Sequence, residues 1–157
     1  MNADTLDHIG LFQAIPEEAR EALSRACRWR TYGRNEQIID RDAESTDVYF
    51  VVSGAVRVVY YSASGREVTL DDIPAGAVFG ELAAIDGNPR SASVVALQES
   101  TLASLPAARF NAILDEHPTV ALALLRKLVR IVRQSTDRIV GLSTLGSHAR
   151  VVAEVLR

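Results

Sequence analysis

Cysteine is almost missing from this chain: Cys27 is alone among 157 residues. No disulfide can form within it, and a reducing, cytoplasmic setting is the expectation. Cys27 itself reads as a small apolar residue within a helix. Lysine is as scarce, with Lys127 the sole one among 17 basic residues, and the net charge is −3. That balance argues against nucleic-acid binding by these residues alone. No apolar run is long enough to span a bilayer, and Met1-Asn2-Ala3-Asp4 lacks the basic start of a secretory signal, so no membrane partner is expected. The three histidines, His8, His117 and His148, lie far apart without ligand spacing. No serine, cysteine or carboxylate pair has an evident base beside it. Neither a metal, a catalytic residue nor a cofactor is expected, and the chain reads as a non-enzyme. What it does have is 48% hydrophobic residues, enough for one globular domain with a real core.

The apolar pattern changes period twice. Pro16 to Ala26 carries Ala19, Ala22, Leu23 and Ala26 at helical spacing, with Pro16 suited to a first turn. From Trp29 to Leu105 short β-rich runs alternate with turn residues. Val48–Val52 and Val56–Tyr60 flank Ser53-Gly54; Ser62-Ala63-Ser64-Gly65 leads into Glu67–Ile73; Ala92–Leu97 and Thr101–Leu105 flank Gln98-Glu99-Ser100. Strands this short and this regularly spaced predict a double-sheet jelly roll or barrel, with an interior large enough for one small ligand. Val68 and Leu70 read as core positions, with contact to a ligand as the alternative. Ala107 to Glu116 is helical and ends at His117-Pro118, and a longer helix follows from about Thr119 to about Leu142. The fold class is therefore α+β.

One segment interrupts the strands, Phe79 to Ala96. Ala77-Val78-Phe79 reads as a short strand end, and Gly80 allows close approach of the backbone because it has no Cβ. Glu81 to Ile85 is helix-forming, so the amides of Leu82 and Ala83 are unsatisfied donors at the positive end of one helical turn. Asp86-Gly87-Asn88-Pro89 breaks the turn and returns the chain. Arg90 then reaches the same anion with a bidentate fork, and Ser91 adds a donor. Glu81 is the diagnostic residue. A carboxylate beside an anion is unfavourable unless it accepts a proton that the correct ligand carries, and a ribose 2′-hydroxyl carries one on the far side of the sugar from a phosphate. The plain alternative is a surface helix start at Glu81 with a solvated Arg90.

The long helix bears a regular stripe of Leu125, Leu128, Val132, Ser135, Ile139 and Leu142, in steps of three and four. That is a heptad pattern and predicts a parallel homodimer through Leu125–Leu142. Arg126, Lys127, Arg130, Arg133 and Arg138 lie off the stripe, and a second row of Leu124, Val129 and Ile131 offers a separate surface. Ser135 is the stripe's single polar member, followed by Thr136. A hydroxyl there either bonds back to its own helix or meets a ligand.

The segment from Phe79 to Ala96 resembles the phosphate-binding cassette of the cyclic nucleotide-binding domain, and the whole chain is similar to the sensor part of Crp/Fnr-type transcription regulators. The resemblance implies a double-stranded β-helix with flanking N-terminal helices and a long C-terminal dimerisation helix. It implies a cyclic nucleotide as effector, cAMP first and cGMP as the alternative. Phe79, Gly80, Glu81, Leu82, Ala83, Arg90, Ser91 and Ala92 are the implied ligand-binding residues. In the catabolite activator branch a Thr-Ser pair on the dimer helix contacts adenine, and an ungapped match puts Ser135 and Thr136 there with the hydroxyls in reversed order. The implied domains are a β-roll with N-terminal helices over 1–116, a dimerisation helix and hinge over 117–145, and the start of a truncated or absent winged helix-turn-helix over 146–157. DNA is then expected to bind only through that further domain. A regulatory module of a channel, kinase or cyclase, or a family member with another effector, is the second expectation.

Overall fold

The computed structural model describes residues 5–143, and side chains through 141. The chain divides into two compact units, Met1–Val120 and Ala121–Arg157. The expected opening of a further helical domain over 146–157 lies outside the described residues, as do Leu145 and the side chain of Leu142.

The first unit opens with a short 3-10 turn, Gly10–Phe12, and α1, Glu17–Ala26. Pro16 precedes α1 as its N-cap, where the missing N–H costs nothing, and Glu17 and Glu18 sit at the favourable end of the helix dipole. Of the four apolar positions expected on α1, only Leu23 is buried and Ala22 is exposed. The burial comes instead from the segment ahead of the helix, where Leu6, Ile9, Leu11, Phe12 and Ile15 are all inside. Cys27 lies just past the helix, as its C-cap.

Eight strands follow: β1 Arg28–Tyr32, β2 Gln37–Ile39, β3 Val48–Ser53, β4 Ala55–Tyr61, β5 Glu67–Pro74, β6 Val78–Phe79, β7 Ser93–Ala96 and β8 Ser100–Leu105. They form two antiparallel four-stranded sheets, ordered β1-β8-β3-β6 and β2-β7-β4-β5. The jelly roll is as expected. Between the sheets lies one apolar cluster: Tyr32, Val51, Phe79 and Leu102 from the first sheet, Ile39, Val56, Val94 and Ala96 from the second. Side chains alternate across a strand, so Phe50 beside Val51 points to the other face of its sheet. There its ring meets Phe12 at 5.0 Å and Phe110 at 6.4 Å. Phe110 belongs to α3, Ala107–Glu116. Strand β3 is thus buried on both faces, and each such fully buried side chain stabilises the fold by roughly 1.5–3 kcal/mol.

Strand β5 differs. It is an edge strand exposed along nearly all its length, and Val68 and Leu70 are 44% and 40% exposed. The reading of these two as core is wrong. Period-two alternation marks a face, and nothing in it tells whether another layer covers that face.

Helix α4 runs from Pro118 to Ser143. Within the second unit the stripe residues Leu125 and Val132 are 58% and 63% exposed, and Ile139 is exposed as well. Val129 and Ile131 of the second row are also exposed.

Candidate ligand-binding site

Helix α2, Glu81–Asp86, begins directly after β6. The junction is Gly80, in the left-handed region at φ 82°. A Cβ there would lie 2.9 Å from Arg90 Nη1 and 3.1 Å from the Asp47 carbonyl, so two constraints select glycine. One and a half turns later Gly87, at φ 72°, closes the helix by donating its N–H to the Ala83 carbonyl at 2.9 Å. The Asp86 carboxylate accepts from the Asn88 N–H at 2.9 Å, and Pro89 holds the return to Arg90. The turn chemistry expected from Asp86-Gly87-Asn88-Pro89 is what the backbone adopts.

Arg90 is buried, 4% exposed, and held on all sides. Its N–H donates to the Ala43 carbonyl at 2.9 Å, and its carbonyl accepts from the Asp42 N–H at 3.0 Å. In the side chain, Nη1 donates to the Gly80 carbonyl at 2.9 Å, Nη2 to the Asp47 carbonyl at 2.7 Å and Nε to Ser45 Oγ at 3.3 Å. A guanidinium has five N–H donors, so these three leave two for a ligand, the number a bidentate anion contact uses. Desolvation by burial pushes the Arg90 pKa below its usual value, against the opposing fields of Tyr49, Asp47 and Glu81. An anion entering the site would offset that desolvation.

Glu81 is buried too, 5% exposed, in the first turn of α2. The structure thus buries both Glu81 and Arg90 and brings the guanidinium to the Gly80 carbonyl, and the solvated-surface alternative for Glu81 and Arg90 does not hold. Ala83 is buried with Ala84, whose carbonyl accepts from Asn111 Nδ2 of α3 at 3.0 Å. Leu82 is exposed, Ser91 lies exposed next to Arg90, and Ala92 is buried. Phe79 faces the roll interior, stacked on Tyr49 at 5.1 Å with the rings 5° from parallel. Ser135 and Thr136 fall on α4 in the second unit, exposed and half-buried respectively.

Sequence reasoning missed Ser45, Asp47 and Tyr49. The largely polar run Arg41 to Asp47 is a signal for a loop. Nothing local in it tells which carbonyl turns toward an arginine 43 residues later. A separate cavity of about 620 Å³, lined by Asp7, Glu21, Arg25, Cys27 and Trp29 among others, contains none of the cassette residues. Among the described residues no group of His, Cys, Asp and Glu is arranged to hold a metal ion. Among them, too, no helix is long and apolar enough to cross a membrane.

A roll of two antiparallel sheets, broken by a glycine-initiated helical turn that packs a buried carboxylate near a buried guanidinium, defines a class. Residues 29–117 match the family model of the cyclic nucleotide-binding domain, and the chain belongs to that family. Among its relatives, the cyclic AMP receptor protein of Thermus thermophilus is 32% identical over 148 residues, covering 94% of this chain and 68% of the relative. The CRP-like cAMP-activated global transcriptional regulator of Mycobacterium tuberculosis is 24% identical over 154 residues, 98% of this chain and 69% of its own. The solved Thermus thermophilus catabolite activator protein superposes with a TM-score of 0.76 at 29% identity, covering 85% of this chain and 62% of that one.

Proposed function

We propose that this chain is the cyclic-nucleotide sensor of a bacterial transcription regulator, with cAMP as effector and α4 as its homodimer contact. The relatives' names support that effector class, and the chain spans 62% of the solved Thermus protein, so regulation of transcription is part of the proposal. The observation that carries it is the burial of both Glu81 and Arg90, with the guanidinium held on the carbonyl of the left-handed Gly80 that precedes Glu81. Two charged side chains are seldom buried so deeply unless paired. Arg90 takes the ring phosphate through its two remaining N–H groups, and Glu81 accepts the 2′-hydroxyl. Val68 and Leu70, exposed on β5, provide apolar surface for the base, and Ser135 and Thr136 supply hydroxyls to its edge. Leu82 covers the ligand from α2, and Ser91 adds a donor beside the phosphate.

The chain acts by binding and carries no chemistry of its own, in a cytoplasmic setting. Ligand binding shifts the population between dimer geometries, limited by the difference in affinity for the two.

Calorimetric titration with cAMP, cGMP, 2′-deoxy-cAMP and 5′-AMP tests the reading. Cyclic ribonucleotides bind, the 2′-deoxy compound binds more weakly, and Arg90→Ala loses roughly 2–5 kcal/mol because a buried phosphate is left without its charge partner. Unchanged affinity in Arg90→Ala removes the proposal.

A further inference from the structure

The guanidinium assigned to the phosphate is itself held by one loop. Residues 40–47, between β2 and β3, make four hydrogen bonds with Arg90: Asp42 N–H to its carbonyl, the Ala43 carbonyl from its N–H, Ser45 Oγ from Nε and the Asp47 carbonyl from Nη2. Only Ser45 contributes a side chain to that set. The loop needs Asp42 in the left-handed region at φ 68°, a conformation that aspartate tolerates better than most residues.

With the Gly80 carbonyl on Nη1, each of the three guanidinium nitrogens has one anchor. A planar group fixed at three corners cannot swivel, so its two remaining N–H groups, one on each Nη, keep fixed directions. Removing the anchor on Nε restores a tilt about the Nη contacts. Ligand binding must then order the group, and affinity falls.

We propose that Ser45 is a positioning residue for the anion contact, aiming the free edge of Arg90 by accepting from Nε. The inference rests on the cyclic-nucleotide reading above and adds a residue outside the cassette to it. Ser45 is exposed, so substitution leaves the fold intact. Its hydroxyl stands where an acid would meet the guanidinium directly and compete with the ligand phosphate.

Titration with cAMP of wild type, Ser45→Ala, Ser45→Thr and Ser45→Glu, with ligand-free melting curves, provides the test. Ser45→Ala binds roughly three- to thirtyfold more weakly. Ser45→Thr, which keeps the hydroxyl, binds within about twofold of wild type, and Ser45→Glu loses more than about thirtyfold through repulsion of the phosphate. The ligand-free melting temperature of Ser45→Ala stays at that of wild type, which a merely structural role would move. In an Arg90→Lys background, Ser45→Ala has no further effect, since no Nε donor remains. If wild type binds and Arg90→Ala does not, yet Ser45→Ala and Ser45→Glu bind as wild type, the positioning role is overturned and the sensor reading stands. An equal loss from Ser45→Ala in the Arg90→Lys background also overturns it. If wild type takes up no cyclic nucleotide, the sensor reading fails and the positioning role falls with it.

Discussion

Arg90 Nη1 donates to the Gly80 carbonyl at 2.9 Å, and a Cβ placed on Gly80 would stand 2.9 Å from that same nitrogen. The glycine therefore does two things: it turns the chain through φ 82° into α2, and it leaves room for the guanidinium to reach its own carbonyl. Arg90 cannot retreat cheaply, because Ser45 and Asp47 hold it from the other side. Gly80→Ala should cost about 2–4 kcal/mol, combining left-handed strain with displacement of a buried cation. Differential scanning calorimetry should show the melting temperature falling by several degrees, and cAMP affinity should drop at least tenfold. A wild-type melting temperature with wild-type affinity would show that the junction relaxes freely.

The β3–β4 turn poses a different packing problem. Ser100 is fully buried, and its hydroxyl accepts from the Ala55 N–H at 3.1 Å while facing the carbonyls of Ala55 at 3.1 Å and Gln98 at 2.9 Å. Ser100→Ala leaves that N–H without its acceptor and should cost about 1–3 kcal/mol in urea unfolding. Gly54, at φ 88°, sits against the same hydroxyl. A Cβ there would come within 2.2 Å of Ser100 Oγ, 2.6 Å of the Glu99 carbonyl and 2.7 Å of Ser100 Cα. Gly54→Ala should therefore be the worse variant, and adding Ser100→Ala should not rescue it, because two of the three collisions are with backbone. Full rescue by the double variant would mean that the hydroxyl alone sets the barrier.

Most strands were legible in the sequence because Gly54 and Gly65 punctuate runs of β-branched and aromatic residues, and both glycines adopt positive φ. Strands β1 and β2 were not separately legible. Arg28–Tyr32 is mostly exposed, so Arg30 and Thr31 carry no apolar alternation, and Gln37–Ile39 is three residues long. Helix α4 ran as the heptad stripe predicted, from Pro118 instead of Thr119, since proline fits a first turn. At the site, the local chemistry of Gly80 and of Asp86 to Pro89 was readable because turns are set by neighbours in sequence. The grip of Ser45 and Asp47 on Arg90 spans 45 and 43 residues and was not. Long-range hydrogen bonds of this kind leave no periodic trace, and Val68 and Leu70 were misread as buried because alternation marks a face without telling whether a layer covers it.

The lone thiol gives a pH-dependent prediction. Burial pushes the Cys27 pKa up from 9.0 to about 12, with the field of Arg109 opposing the shift. An acid whose folded pKa is raised binds its proton longer in the folded state than in the unfolded one. Its contribution to stability is therefore complete below pH 9 and is lost as pH rises toward 12. Cys27→Ala should show a shallower loss of stability over that window than wild type, measured by urea unfolding at a series of alkaline pH values. The same burial should make Cys27 slow to alkylate at pH 8 until denaturant is added. Rapid alkylation of the native protein would show the thiol to be exposed.

Helix α4 presents a row of exposed apolar side chains among the described residues of the second unit. Leu125 and Val132 lie seven residues apart on the heptad stripe and are both more than half exposed, with Ile139 continuing the row. A heptad stripe of exposed apolar side chains is the surface that a second helix would cover in the proposed dimer. Pairing in parallel would set each residue against its own copy and bury all three side chains at once, worth roughly 1.5–3 kcal/mol for each fully covered side chain. Leu125→Glu with Val132→Glu would place carboxylates against their copies in the two layers on either side of Leu128. Sedimentation velocity should then report a monomer, whereas Arg126→Glu, off the stripe, should leave a dimer. Ser135 occupies the layer between Val132 and Ile139, so Ser135→Leu should tighten the dimer while weakening whatever ligand contact its hydroxyl makes. A double-glutamate variant that still sediments as wild type would rule out this stripe as the dimer contact. The second row, with Val129 and Ile131, would then be the surface to test.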